Sequence, residues 1–172
     1  TADELRDIAS TLGERGITTR LFTRGEGNEE SFKALSGSSP QILHIATHGF
    51  FFHDKEAQQL PFYRTQGFDA HTDTSSSPLR RSGLILSGGE RAWLGEELPT
   101  EVEDGILLSE EIATMELGNV ELVVLSACDT GLGEISSEGV FGLQRAFKMA
   151  GVKSIMMSLW KVEDRATSLF MQ

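Results

Sequence analysis

The chain has 172 residues, 39% hydrophobic and 24% charged, enough for one domain with its own core, and no run approaches the ~18 consecutive apolar residues of a membrane span. A formal charge of −11, from 15 Lys and Arg against 26 Asp and Glu, argues against nucleic acid or an anionic membrane as a general partner. One cysteine excludes an internal disulfide, a CxxC redox pair and a Cys-rich zinc site, and with an acidic N-terminus free of signal-peptide pattern it points to a reducing, cytoplasmic setting.

In the opening segment Leu5, Ile8, Ala9 and Leu12 share one helical face, and Gly13 and Gly16 stop the helix. Residues 17–23 read as a strand and Gly25-Glu26-Gly27-Asn28 as the turn after it. Asn28 is placed to cap a short helix over 29–35, with Phe32 and Leu35 inward and Gly37 at its end. Pro40 precedes a second strand, 41–47, that runs straight into His48-Gly49. This α, β, α, β order is the rhythm of a parallel sheet with crossover helices.

Over 50–104 the rhythm breaks. Phe50-Phe51-Phe52 reads as packing at the sheet edge, and Ser75-Ser76-Ser77-Pro78 as loop. Two short apolar runs, 83–87 and 105–108, predict a two-stranded excursion. Connections of this length are functional or partly disordered. Ser109 can cap a helix to Met115, with Glu110 and Glu111 favourable in its first turn.

The centre of the chain is VELVVLSACDTGLG at 120–133, a buried strand over 120–125 followed by a sharp turn. Ser136 or Ser137 caps the next helix, 138–150, whose inward stripe is Val140, Leu143, Phe147 and Ala150. A further strand, 152–158, leads to Leu159-Trp160, and Asp164 begins a last helix to Met171.

Cys128 leaves the carboxyl end of the central strand, the edge where open α/β sheets gather ligands and chemistry. Two readings stand: a nucleophile helped by the following helix dipole, or a small buried hydrophobe. His48 has the same address at the end of its own strand, and alone reads equally as a structural histidine. Together, if their strands are neighbours, imidazole and thiol make the acid/base arrangement for acyl transfer. His44, His48 and His53 have only Asp54 as a flanking ligand, and His44 falls inside a strand, so no metal is expected. A phosphatase loop would need arginine where Glu134 stands, and a dinucleotide loop a third glycine where Ser136 stands. Trp160 reads as a core aromatic or a ligand platform.

HIATHGFF at 44–51, LVVLSACDTGLG at 122–133, GVFGLQRAFKMAGV at 139–152 and SLWKVEDRAT at 158–167 resemble, in order, the CHAT domain. That is a caspase-like cysteine peptidase domain often attached to tetratricopeptide repeats. The resemblance implies a three-layer α/β sandwich with a mainly parallel central sheet and helices on both faces. It implies one domain over 1–172, incomplete at both ends, because the family domain has sequence before the first helix and more helix after Gln172.

The implied activity is a cysteine endopeptidase without cofactor, acting on a peptide or protein, with Cys128 as nucleophile and His48 as proton donor. Backbone N–H groups of Gly49 and Cys128 would form the oxyanion hole, and Ser126 would line the specificity pocket. Ser158, Leu159 and Trp160 would pair with the substrate backbone. Asp129 or Asp164 would select a basic side chain, Asp164 being equally a helix cap. The other class of reading is a catalytically silent CHAT-like scaffold or signalling adaptor, with a tetratricopeptide-repeat region as partner.

Overall fold

A computed structural model describes residues 2–51, 77–96, 98–99, 102–126 and 137–157. These residues form a mixed α/β fold with two three-stranded sheets, one parallel and one antiparallel. Helix α1 (Ala2–Glu14) ends as its glycines predict. Ile17 N–H bonds to Leu12 O and Gly16 N–H to Gly13 O, with Gly16 at φ +75°, the closing pattern that favours glycine. The expected strand over 17–23 is absent: these residues have no ladder partner among the described residues, with Ile17 and Leu21 exposed. Residues 17–21 are all exposed, so the segment has no buried face, which a strand needs.

Helix α2 (Glu29–Lys33) starts at the expected cap, where Asn28 Oδ1 accepts from Ser31 N–H at 3.0 Å. Strand β1 (Ile42–Ile45) pairs in parallel with β5 (Leu122–Leu125), and β5 pairs in parallel with β6 (Ser154–Met157). The register aligns Ile45, Leu125 and Met157 in one row at the carboxyl end. The first strand is thus shorter than expected, and His48 does not extend it. The Thr47 hydroxyl donates to Ile85 O, drawing the chain onto a different strand. His48 opens β2 (His48–Phe51), which runs antiparallel to β3 (Ser82–Ile85), itself antiparallel to β4 (Ile106–Leu108). The expected two-stranded excursion is real and gains Phe50-Phe51 as part of a third strand.

Between β3 and β4 lies the short helix α3 (Gly89–Trp93), and Trp93 meets Phe50 edge-on, centroids 5.4 Å apart. Helix α4 (Ser109–Thr114) follows β4 directly. Ser109 does not cap it. The Glu111 carboxylate instead accepts from Leu108 N–H at 2.8 Å, while the fully buried Ser109 hydroxyl lies 2.8 Å from that of Ser82. Ser82 gives its only proton to Pro78 O, so Ser109 is the donor in that pair.

Helix α5 (Ser137–Met149) buries Leu143 and Phe147 of the expected stripe, with Ala150 just beyond, and adds Ala146, while the Val140 side chain lies outside what is described. They pack with Ile45, Val123, Leu125, Phe32, Ile112 and Val152 in the main core. Because strand side chains alternate, His44 points away from the face that Leu43 and Ile45 give to this core.

An ionic cluster, in which only Glu29 is buried, joins α2 to α4. Lys33 Nζ lies 2.7 Å from Glu29 Oε1, 2.8 Å from Glu111 Oε1 and 2.9 Å from Glu103 Oε2. Glu29 also accepts from Gly105 N–H at 2.8 Å. Gly105 sits at φ +78° so close to the Gly88–Gly89 backbone that a side chain there has no room. The three carboxylates lie near enough to hold an ion together, but the lysine ammonium already answers them.

Burial, with Glu111 adding negative charge, pushes the Glu29 carboxyl from the ordinary 4.5 up to about 7. Burial opposes the charge on Lys33, but its bonds to Glu111, Glu29 and Glu103 outweigh it and raise its pKa. From about pH 4.5 to 7 the folded chain therefore holds a proton at Glu29 that the unfolded chain has lost. That contribution to stability is full below the window and declines as pH rises through it. Lys33 keeps its proton in both states there. Glu29→Gln is expected to flatten this part of the melting-temperature profile between pH 5 and 8 and to match or exceed the wild type at pH 8. An equally steep decline in the variant assigns the effect to other groups.

Candidate active site

The parallel sheet fixes three chain exits side by side. β1 ends at Ile45, three positions before His48; β5 ends at Leu125, three before Cys128; β6 ends at Met157, directly before Ser158. Ser126 continues the ladder one residue further, its N–H donating to Ile45 O at 2.9 Å. In open parallel sheets this edge is where ligands bind.

His48 is exposed at the start of β2, opposite Ile85, and the buried Gly49 stands opposite Leu84. The histidine is thus set where the chain passes from the parallel sheet to the antiparallel one. Its anchoring comes from the buried residues that follow it, Phe50 and Phe51, and from the Thr47 bond to β3. Its imidazole is free to meet solvent, as a proton donor to a substrate must be.

Ser126 is half-buried, and its hydroxyl lies 3.3 Å from His44 Nε2. The same nitrogen lies 3.1 Å from Glu4 Oε1 on α1. Glu4 is 5% exposed in a helical turn whose Asp3, Arg6 and Asp7 are all exposed. Sequence reasoning weighed His44 only as a metal ligand and passed over Glu4. The signal was there: residues 4, 8 and 12 form one i, i+4 row, so Glu4 shares a face with Ile8 and Leu12.

The chain leaving β1 reaches His48 and Gly49 at the start of β2, and the chain leaving the neighbouring β5 begins with Ser126. Cys128, Asp129, Ser158, Leu159, Trp160 and Asp164 lie outside the described residues, as do His53 and Asp54.

A family model for the CHAT domain matches residues 1–172. Tetratricopeptide repeat protein 28 of Mus musculus is 36% identical over 52 residues, 30% of this chain and 2% of that protein. The Homo sapiens protein of the same name is 30% identical over 69 residues, 40% of this chain and 3% of that protein. The chain spans a small fraction of the length of these relatives. No solved structure matches it.

Proposed function

We propose that this chain, which belongs to the CHAT domain family, is a caspase-like cysteine endopeptidase working through Cys128 and His48. The observation that carries the reading is the shared register of β1, β5 and β6, which aligns the exits leading to His48, Cys128 and Ser158.

In the proposed reaction the Cys128 thiol passes its proton to His48 as its sulfur attacks the scissile carbonyl carbon, and the carbonyl oxygen gathers negative charge between the N–H groups of Gly49 and Cys128. His48 gives a proton to the departing amine as the C–N bond breaks, leaving a thioester. Water then attacks the thioester while His48 takes its proton, and the acid product leaves as the thiol is restored. Ser126 forms a wall of the specificity pocket, and Ser158, Leu159 and Trp160 receive the substrate backbone as an added strand. Asp129 and Asp164 are the carboxylates available to select a basic side chain.

This reading takes the fold as the three-layer caspase-like sandwich and the setting as cytoplasmic. Similarity to tetratricopeptide repeat proteins supports a repeat region as the partner that presents substrate or controls access.

Incubation of the full-length protein with a mixed peptide library, followed by mass spectrometry of new termini, tests the proposal. Defined new termini are expected with wild type and none above background with Cys128→Ala. Cleavage that survives the substitution, or its absence in both proteins, favours the silent adaptor.

A further inference from the structure

Ser126 is attached to β1 twice: its N–H donates to Ile45 O at 2.9 Å, and its hydroxyl lies 3.3 Å from His44 Nε2. His44 is the register partner of Val124, so it stands beside the last turns of the β5 ladder. Behind it, Glu4 has been taken out of water, which is costly for a carboxylate without a partner. Its partner is the same His44 nitrogen, at 3.1 Å. An ionised carboxylate only accepts, so the ring proton belongs on Nε2. That N–H donates to Glu4 and leans toward the Ser126 oxygen as a second, longer acceptor. The Ser126 proton is then left for another acceptor.

The three groups come from three separate elements: the first turn of α1, the middle of β1 and the residue after β5. A strand end held only by its final amide bond frays easily, whereas one held by amide and side chain together keeps its direction. Displacement of about 1 Å near reacting atoms costs on the order of 100-fold in rate.

We propose that Glu4 and His44 are positioning residues, a pair that clamps Ser126 and so sets the strand exit two positions ahead of Cys128. The inference rests on the peptidase reading for its consequence, since neither residue touches the substrate. It makes α1 part of the site rather than a cover for the sheet.

Two measurements on Glu4→Ala, Glu4→Gln and His44→Ala test it. The first is hydrogen exchange at the Ser126 amide. The second is the rate at which Cys128 is labelled by a peptidyl acyloxymethyl ketone, compared with its alkylation by iodoacetamide. Glu4→Ala is expected to speed Ser126 exchange about 10-fold and slow the peptidyl reagent about 10-fold, the scale of a lost charge-assisted hydrogen bond. Iodoacetamide, which needs only an accessible thiol, is expected to change less than about 3-fold.

Glu4→Gln keeps an oxygen for the ring N–H and is expected to recover most of both effects. Should Glu4→Ala fail to fold, His44→Ala carries both measurements, with the same losses expected. Unchanged exchange and labelling in folded variants overturn the proposal, as does a Glu4→Gln variant no better than Glu4→Ala. If the wild type reacts with iodoacetamide but not with the peptidyl reagent, the peptidase reading fails alone. Exchange at Ser126 still decides the clamp.

Discussion

Replacing His48 by alanine is expected to lower kcat for peptide cleavage by roughly 100- to 10,000-fold, the range of a lost general acid or base, with KM little changed. The expectation follows from where the residue sits. His48 begins β2 and is exposed, while Gly49, Phe50 and Phe51 after it are buried. The substitution therefore removes an imidazole without opening a cavity, and stability should stay within about 0.5 kcal/mol of wild type. A melting temperature near that of the parent, beside a collapsed kcat, separates a chemical role from a structural one. His48→Gln should be no better, because an amide cannot give up a proton to a leaving amine. If kcat stays within a few-fold of wild type in either variant, His48 is not the proton donor.

His44 offers the contrast on the same strand segment. Its ring nitrogen is committed to Glu4 and Ser126, while the His48 imidazole faces solvent. The two histidines of HIATH thus differ in surroundings, one bonded to side chains of α1 and of the residue after β5, the other exposed at the start of β2.

The local patterns that sequence shows well are those whose cause is local. The mostly apolar run over 120–125 shows the central strand, of which Leu122–Leu125 form the ladder, and Asn28 announces the helix it caps. The stripe of Leu143, Phe147 and Ala150 identified the face of α5 that meets the core. What sequence could not show depends on partners distant along the chain. Residues 17–23 have strand composition, but whether they form a ladder depends on a neighbour, and none is present among the described residues.

The run from Ile42 to Phe51 reads in sequence as part of one strand, 41–47, followed by His48-Gly49 and packing at the sheet edge. Its division into two sheets is decided by β5 on one side and by the Thr47 bond to β3 on the other. Glu4 is legible in sequence only through its place in the row with Ile8 and Leu12, and Glu29 only as a polar residue on a helix. Their burial follows from His44 and Lys33, one 40 positions away and the other a helical turn away. For the site, this places His48 at a junction of sheets, three positions beyond β1, instead of directly at a strand end.

The claim on which the rest depends is that Cys128 is a nucleophile served by this edge of the sheet. Its most direct measurement is covalent capture by a library of electrophilic peptides, read by intact mass and by mapping the modified residue. The account predicts a single adduct on Cys128 in wild type, favouring some peptide sequences over others. It predicts none in Cys128→Ala, and an adduct formed at least about 100-fold more slowly in His48→Ala. A Cys128 thiol that iodoacetamide modifies but no electrophilic peptide captures, in the full-length protein with its partners present, would contradict the account.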